Sequence, residues 1–387
     1  MKWEKVKLGD VTDSCLGKML DQNKNKGDYQ PYLANVNVRW GEFDLEDLPL
    51  MKFEESEQER YELKYGDLVI CEGGEPGRCA IWKEQIPNMK IQKALHRVRV
   101  HDCLDYRYLF YWFLLAGKTG ELEQYFTGAT IKHMPGQKLK EVVIDKPPLE
   151  IQHRIADILS AYDDLIENNQ KQIKLLEEAA QRLYKEWFVD LHFPGYENTK
   201  IVDGVPKGWK KERLVDIADI QYGYAFDGTL FNTDKNGTPI IRIRNIPQAE
   251  TADYTSEQAN ENYLVQNGEI VVGMDGEFHI NAWVGDTAYL VQRTCCIRPR
   301  NRQIKGWLLQ AIYEPIKFFE RTVVGATVSH LGKKHLDSIY LLTSPEEFYE
   351  PFKTFFDKRL LLMNQNRKLR EARDRLLSKL MSGEVEV

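Results

Sequence analysis

The stretch IQHRIADILSAYDDLIENNQKQIKLLEEAAQRLYKEWFVD, residues 151–190, decides the fold of this chain of 387 residues. From Ile155 to Trp187, apolar or aromatic residues and one asparagine, Asn169, recur with gaps that alternate between four and three residues. Such alternation is typical of a heptad seam. At 1.5 Å per residue the stretch predicts a helix about 60 Å long, which no single compact core requires. The helix must therefore pack against a second long helix.

The end of the chain supplies the second helix. Its apolar residues recur at similar, though less regular, spacing: Phe352, Phe355, Leu362, Leu369, Ala372, Leu376 and Leu380. NNQK at 168–171 is matched by QNRK at 365–368, which lies 197 residues later. We therefore expect Asn169 and Asn366 to lie near each other midway along an antiparallel helix pair, where a polar residue in the seam fixes register. The alternative is that Asn169 faces solvent at a helix end.

The regions that precede the two helices are copies of each other. Five blocks recur in the same order, with separations between 197 and 208 residues: LGDVTD at 8–13 with LVDIAD at 214–219, PYLANVNV at 31–38 with PIIRIRNI at 239–246, GDLVICEGGE at 66–75 with GEIVVGMDGE at 268–277, IQKALHRVR at 91–99 with VQRTCCIRP at 291–299, and TGATIKHM at 127–134 with VGATVSHL at 324–331. Short β-rich runs after Gly-acid turns indicate strands. The sequence thus predicts an α+β protein, in which two similar mostly-β domains alternate with two long helices that pair as an antiparallel coiled coil.

Composition excludes several classes of protein. With 42% hydrophobic and 29% charged residues, the chain is typical of a globular protein. Because it has no apolar run of about 18 residues and no apolar signal segment, we expect it to be cytoplasmic. Its six cysteines lack metal-ligand spacing, and we expect reduced thiols and no metal site. The net charge of −6 argues weakly against nucleic acid, but residues 90–99 and 291–305 contain four and five Lys/Arg and no acid. Each run is either a DNA-facing patch or a solvated strand.

No motif in the chain supports catalysis. It contains neither the NPPY or DPPY motif nor the FxGxG motif of adenine methyltransferases. AGKTG at 116–120 is not a phosphate loop, because Trp112 stands where the motif requires glycine. ELK at 62–64 with Asp47 is a weak nuclease pattern in so charged a chain. His133 and His330 are better explained as DNA-contacting or structural residues than as general acids or bases.

In the order and the sequence of its segments, the chain resembles the specificity subunits of type I restriction–modification systems. Residues 147–190 resemble the family's central spacer helix, FPGYENTKIVDGVPKGWK at 193–210 its link into the second recognition domain, and LREARDRLLSKLMSGEVEV at 369–387 its C-terminal helix. WEKVKLGDV and GWKKERLVDI fit the family's domain starts. The resemblance implies four parts, with these boundaries: recognition domain 1 at 1–146, the spacer helix at 147–192, a linker and recognition domain 2 at 193–343, and the C-terminal helix at 344–387.

The resemblance also implies a function. Each recognition domain would read one half of a bipartite, asymmetric site in double-stranded DNA, and the helix pair would set the gap between the halves. The helices would hold two methyltransferase subunits that bind S-adenosylmethionine, and a motor–nuclease subunit would use ATP and Mg²⁺. This chain would itself be non-catalytic and carry no cofactor. The alternative is an orphan DNA-binding or anti-restriction module without a methyltransferase partner.

Candidate DNA contacts follow from side-chain chemistry. Arg and Lys can bond guanine edges, Asn can bond adenine, and small-residue turns expose N–H groups to phosphate. On this basis the candidates are Asn35, Asn37, Arg39, Arg78, Thr130, Lys132 and His133 in the first domain, and Arg242, Arg244, Asn245, His279, Thr327, Ser329, His330 and Lys333 in the second. The alternatives are solvated strand edges and structural turns. Exposed apolar residues near Trp187, Phe188 and Leu191 are the expected docking point for a partner.

Overall fold

We describe the protein from a computed structural model, which covers residues 3–21, 25–322 and 330–386. The chain divides into two compact units. The first comprises Met1–Asp164 with Arg370–Val387, and the second comprises Leu165–Leu369. Two long helices, Leu149–Tyr184 and Glu350–Met381, contribute residues to both units.

The described residues of the first unit form three sheets. Its four-stranded antiparallel sheet has the order Thr12–Leu16, Leu95–Val100, Leu68–Cys71, Cys79–Ile81. A three-stranded sheet has the order Leu50–Phe53, Asp28–Leu33, Lys90–Ile91, and a two-stranded sheet pairs Glu4–Lys7 with Val143–Lys146. The short helices are Leu8–Val11, Gln58–Tyr61 and Gly136–Glu141, with 3-10 turns at Asn35–Asn37, Glu55–Glu57 and Glu121–Tyr125.

The second unit repeats this layout. Its four-stranded sheet has the order Ala218–Tyr222, Thr294–Pro299, Ile270–Gly273, Ile280–Ala282. A five-stranded sheet has the order Phe231–Asn232, Tyr254–Thr255, Thr238–Ile241, Ala288–Leu290, Leu264–Val265. Two-stranded sheets pair Lys210–Arg213 with Tyr340–Thr343 and Ile201–Val202 with Val205–Pro206. The helices are Leu214–Ile217, Lys305–Ala311, Tyr313–Thr322 and Lys333–Asp337, with 3-10 turns at Tyr196–Asn198, Gly228–Leu230, Ile243–Asn245, Glu261–Tyr263, Arg302–Ile304 and Glu346–Phe348.

The predicted duplication is confirmed down to strand register, with one correction. Val98 lies opposite Leu68 in the first unit, and Ile297 lies opposite Ile270 in the second. The strands Leu95–Val100 and Thr294–Pro299 are therefore offset by 199 residues, whereas the sequence blocks aligned them at 200. The alignment at 200 was wrong, because a slip of one residue exchanges the two faces of a strand and identity scores alone do not detect it.

The aromatic segment after the first sheet forms a helix, Tyr106–Thr119. The Asp105 carboxylate caps it by accepting hydrogen bonds from the N–H groups of Arg107 and Tyr108. Five of its aromatic side chains are buried core residues, and Tyr106 is half-buried against them: Tyr108, Phe110, Tyr111, Trp112 and Phe113 form the buried set. They pack with strand and helix residues of the same unit, and this burial is what holds the helix to the sheet.

The two long helices bury the predicted seam. Each seam position from Ile155 to Leu183 on the first helix is buried or half-buried, as are all seven predicted positions on the second. A π-helical turn, Lys185–Val189, continues the first helix to its end. Within the second unit, Asn169 contacts Asn366 and Glu177 contacts Arg359, so the helices run antiparallel there. Periodicity alone had specified which face of each helix is covered.

The Asn169–Asn366 contact confirms the prediction that the two side chains lie near each other, and their role in setting the register stays a prediction. The Asn169 Nδ2 donates to Asn366 Oδ1 at 2.9 Å, and both side chains are buried. The Asn366 Nδ2 donates to the Ile166 carbonyl oxygen at 3.4 Å. Asn169 therefore does not face solvent at a helix end, and the buried amides pair only in this register.

In the first unit, a polar network ties the short aromatic helix to the long ones. The Tyr111 hydroxyl donates to Asp163 Oδ2 at 2.5 Å, and the Arg373 guanidinium bonds the other oxygen of the same carboxylate. Burial and the neighbouring Asp163 carboxylate raise the pKa of Tyr111 above its ordinary value.

Within the described residues, no helix combines the length and apolar content needed to cross a membrane.

Candidate nucleic-acid interface

Three segments of the first unit that are distant in sequence meet at one place, here named the first loop cluster: residues 35–39, 73–78 and 127–133. The Asn35 Nδ2 donates to the Gly73 carbonyl oxygen at 2.6 Å, and the Arg78 Nη2 donates to Asn35 Oδ1 at 2.8 Å. Gly73 also forms an isolated β-bridge with His133. The structure therefore brings together residues that the sequence had nominated one by one.

The 127–133 loop is the exposed part of this cluster. Thr127 and His133 close it with two backbone hydrogen bonds of 2.7 and 2.8 Å. Gly128 has φ of +93°, and a Cβ there would lie 2.2 Å from the Ile131 carbonyl oxygen, so the turn requires glycine. Thr130 and Lys132 are exposed, and the Lys132 Nζ lies 3.5 Å from Glu123 Oε2. The loop presents donors to solvent, as phosphate contact requires.

The polar residues of the 3-10 turn have different tasks. Asn37 is buried, its Oδ1 accepts from the Ala34 N–H at 2.9 Å, and its Nδ2 donates to the Asp44 carbonyl oxygen at 3.1 Å. Both ends of this amide serve the fold, so the prediction that Asn37 contacts bases is corrected to a structural cap. Arg39 is exposed and donates through Nη1 to the Val36 carbonyl oxygen at 2.6 Å.

The second unit builds a matching site, here named the second loop cluster: residues 242–245, 273–279 and His330. A Cβ on Gly273 would lie 3.2 Å from Ile243 Cγ2, so the 3-10 turn packs on this glycine. Asp275 forms a β-bridge with His330, as Gly73 does with His133 in the first unit. The His330 Nδ1 lies 2.5 Å from Asp275 Oδ1, and the Arg293 Nε lies 3.3 Å from Asp275 Oδ2. Asp275 and Arg293 were not among the candidates predicted from the sequence, although both lie in the repeated sequence blocks.

The candidate residues of the second 3-10 turn also divide into structural and exposed ones. The Asn245 Oδ1 accepts from the Arg242 N–H at 2.9 Å, which is the same cap that Asn37 provides, and contact of the Asn245 Nδ2 with a base stays a prediction. The Arg242 guanidinium lies over the Phe231 ring at 5.7 Å. Arg244 is exposed, and its Nη2 donates to both oxygens of Asp253 at 2.7 Å.

The remaining candidates of the second domain are more scattered. His279 is half-buried with Nδ1 3.5 Å from Glu277 Oε1, and Lys333 is exposed at the start of the short helix Lys333–Asp337. Thr327 and Ser329 lie outside the described residues. Whether any of these side chains contacts DNA stays a prediction.

The two basic runs lie on mostly buried strands, and part of their charge is neutralised within the fold. Arg293 and Arg300 remain largely exposed, so a DNA-facing role for the second run stays a prediction. Lys90 is fully buried with Nζ 2.5 Å from Glu62 Oε2, and Arg99 forms two 2.7 Å bonds with the Asp67 carboxylate. Arg298 bonds Glu269 Oε1 at 2.8 Å. Acidic partners outside each run neutralise these three charges within the fold. Because neither run contains an acidic residue, the sequence of the runs did not indicate this pairing.

A chain of polar contacts supports the second loop cluster from the long helices. The Arg359 Nε donates to Glu177 Oε1 at 2.6 Å, and its Nη2 donates to Asn281 Oδ1 at 2.8 Å. The Asn281 Nδ2 donates to the carbonyl oxygens of Ile246 and Pro247, directly after the 3-10 turn, at 3.0 and 2.9 Å. Sequence reasoning missed this support, because its members come from four separate segments.

The expected docking residues near the end of the spacer helix are largely internal. Phe188 is 5% exposed, and its ring packs among Trp209, Trp307 and Phe352. Its ring is therefore committed to the core of this chain, which corrects its assignment as an exposed docking residue. Trp187 and Leu191 are half-buried against the same core. Docking of a partner at these two positions stays a prediction.

Metal-ligand clusters and ionised thiols are the groups that a reactive site would be expected to contain. In the part of the chain that the structure describes, no three His, Cys, Asp or Glu side chains are grouped so as to hold a metal ion. Burial raises the pKa of Cys295 to about 12, and burial likewise raises the pKa of Cys79 and Cys71. Such thiols are protonated at neutral pH and are poor nucleophiles. The polar groups exposed in the loop clusters are hydrogen-bond donors and acceptors, and the apolar side chains of Val36 and Ile131 are exposed beside them.

The comparison with known proteins agrees with this geometry. The family model described as "Type I restriction modification DNA specificity domain" matches residues 1–178 and again residues 206–347. The chain belongs to this family. The two matches fall on the two copies found in the sequence, and together they cover most of the chain.

Two curated relatives of this specificity family come from Methanocaldococcus jannaschii. The type I restriction enzyme MjaIX specificity subunit is 28% identical over 342 residues, which cover 83% of this chain and 78% of the relative. The MjaVIII specificity subunit is 28% identical over 287 residues, covering 70% and 64%. The solved structure of a type I restriction–modification S subunit from M. genitalium matches 98% of this chain and 96% of its own, with a TM-score of 0.55 at 16% identity. The structural match confirms the predicted fold class.

Proposed function

We propose that this chain gives a type I restriction–modification complex its DNA sequence specificity. In this proposal the first loop cluster reads one half of a bipartite site in double-stranded DNA, and the second loop cluster reads the other half. Family membership and the names of the relatives support the proposal.

The observation that carries the proposal is the chemical difference between two sites of identical construction. Both clusters join a 3-10 turn, a strand-to-strand turn and a histidine through equivalent contacts. Yet the second places Asp275 where the first has Gly73, and the exposed Arg244 where the first has the exposed Val36. Two frames of the same shape with different side chains suit two different short sequences, hence an asymmetric site.

We further propose that this chain carries no catalytic step. Methylation of adenine would belong to two methyltransferase subunits that bind S-adenosylmethionine. Cleavage would belong to a motor–nuclease subunit that uses ATP and Mg²⁺. The protonated buried thiols and the absence of a metal-binding group among the described residues are compatible with this division.

The long helices would set the gap between the half-sites and hold the methyltransferase subunits. The first helix is 36 residues long, and the buried Asn169–Asn366 amide pair can form in only one register of the two helices. A spacer needs such fixed register, since a slip of one turn would move a docked element by about 5.4 Å.

The test is to purify the full chain with the subunits that co-purify with it and to map adenine methylation in DNA treated with that complex. The expected result is one motif with two unlike specific halves and a gap of constant length. A continuous motif would contradict the recognition of two separate half-sites. A gap of variable length would contradict the role of the helices as a spacer. Absence of any methyltransferase would favour the orphan or anti-restriction module, which no feature of the described residues favours at present.

A further inference from the structure

The exposed Arg244 and the carboxylate beneath it form the most specific polar arrangement in either loop cluster. Arg244 is 61% exposed, whereas Asp253 is only 13% exposed. One guanidinium nitrogen, Nη2, donates to both carboxylate oxygens at 2.7 Å. Among the described residues, no other hydrogen bond of this guanidinium is present, so its remaining N–H groups face outward.

Asp253 is itself held in place by the backbone. Its N–H donates to Thr251 Oγ1 at 3.0 Å, and its carbonyl oxygen accepts from the Ile240 N–H at 2.9 Å. The Asn245 cap fixes the turn that carries Arg244, and the Asn281 amide fixes the residues that follow. Contacts with the neighbouring backbone and turn residues thus hold both Arg244 and Asp253 in position. An exposed ion pair contributes little to stability, so stability does not explain this amount of support.

The first unit lacks the pair at the equivalent positions. Pro49 accepts from the Tyr32 N–H as Asp253 accepts from the Ile240 N–H, so Pro49 is the counterpart of Asp253. Val36, 69% exposed, stands at the place of Arg244. The two loop clusters therefore differ at this position by a complete hydrogen-bonding group and its support.

Resting on the proposed function, we infer that Arg244 reads a guanine in the half-site bound by the second unit and that Asp253 is its positioning residue. Arg bonds guanine O6 and N7 with two N–H groups in the major groove, and this contact needs a guanidinium held in a fixed plane. The Asp253 carboxylate supplies that orientation and leaves the outer N–H groups for the base. Val36 offers no hydrogen bond, so the first half-site has no guanine requirement at the equivalent base pair.

The experiment selects duplexes from a pool with randomised positions, using the full chain with the subunits that co-purify with it. Wild type is compared with Arg244→Lys, Arg244→Val and Asp253→Asn. Arg244→Lys keeps the charge but loses the planar fork, and Arg244→Val installs the residue of the first unit. Arg213→Gln is the matched control, because Arg213 also forms a two-bond ion pair, with Asp216, and lies outside the loop clusters.

Wild type is expected to require a G·C pair at one position of one half-site. Each Arg244 variant should lose between about 5-fold and about 150-fold of the preference there and leave the other half-site unchanged. Asp253→Asn should reduce the same preference without a change in melting temperature, an effect that a merely structural role would not produce. Arg213→Gln should retain the wild-type preference.

Three results would overturn the inference. The first is an unchanged G·C preference in a folded Arg244→Val protein. The second is a uniform loss of affinity for all sequences with restoration by Arg244→Lys, which is the behaviour of a phosphate contact. The third is a wild-type half-site without any required guanine. A wild-type complex that selects no bipartite motif would instead contradict the proposed function, and this outcome is distinguishable from the other three.

Discussion

At the scale of single residues, the structure separates exposed polar side chains from polar side chains that hold the turns together. Asn37 and Asn245 occupy matched positions and use their amides to cap matched turns. Arg244 and Lys132 project from these frames into solvent. Type of residue does not distinguish the two groups, because an amide suits a turn cap and an adenine edge equally well.

Lys132→Ala tests the phosphate role of the 127–133 loop. The variant should bind all DNA sequences more weakly, and its salt slope should fall by about 0.9, because one phosphate contact releases about that many counterions. The measurement is the dissociation constant on one duplex over a series of salt concentrations. Lys171→Ala, at an exposed lysine of the spacer helix paired with Glu167, is the control. An unchanged slope would exclude Lys132 as a phosphate contact.

His96→Gln tests a pH dependence of stability. Burial lowers the pKa of His96 below its ordinary value of 6.5, and its Nε2 lies 3.0 Å from the Met134 carbonyl oxygen. Below about pH 6.5 the unfolded chain therefore binds a proton that the folded chain does not, so wild type should lose stability as pH falls through that value. The difference in unfolding free energy between wild type and variant should narrow from pH 7.5 to 5.5, as measured with urea. A difference in unfolding free energy that stays constant with pH for His96→Gln would contradict the assignment.

At the scale of elements, the long helices combine an apolar seam with a small number of internal polar contacts. The seam supplies most of the burial, and the Asn169–Asn366 pair selects among registers that the seam alone would tolerate. The Arg359 guanidinium extends this role, since it joins both helices to Asn281 beneath the second loop cluster. Hydrogen bonds thus connect the two long helices to the second loop cluster within the second unit.

Asn169→Leu tests the amide pair. The substitution leaves the Asn366 amide buried without its partner and should lower the unfolding free energy by about 1–3 kcal/mol. The double variant Asn169→Leu with Asn366→Leu should recover most of this loss, because both polar groups are then gone. Urea unfolding of wild type, of the single variants Asn169→Leu and Asn366→Leu and of the double variant gives the coupling energy. The exposed neighbour Asn168→Leu should stay within about 0.5 kcal/mol of wild type, and an equally stable Asn169→Leu would remove the register role.

At the scale of the whole chain, two copies of one domain have kept a common register and diverged in their exposed loops. The strands Glu4–Lys7 and Val143–Lys146 pair within the first copy, as Lys210–Arg213 and Tyr340–Thr343 do within the second. The first and last strands of each copy therefore close on each other. A domain built in this way can be exchanged without cutting a strand pair.

Exchange of residues 1–146 for the same region of a relative tests the independence of the two copies. One half of the DNA motif should change to that of the donor, and the other half and the gap should stay as they are. Methylation mapping of the chimaeric complex measures this outcome. An exchange that ends at residue 100 is the control. It takes the paired strands Glu4–Lys7 and Val143–Lys146 from two different proteins and should fail to fold stably. A change in both halves would contradict independent reading.

The sequence by itself determined the helices, the duplication and the family. A heptad seam is a local pattern, because the covered face of a helix recurs every three or four residues along the chain. Repeated blocks are likewise visible without coordinates, apart from the offset of 199 residues that only strand pairing revealed.

Tertiary structure alone decided which polar side chains are available to a ligand. Lys90 and Arg99 in the first basic run are neutralised by Glu62 and Asp67, about thirty residues away. Arg244 acquires its orientation from Asp253, which no motif links to it. The availability of a polar group depends on partners that the fold brings from distant segments, and a linear pattern holds no record of those distances.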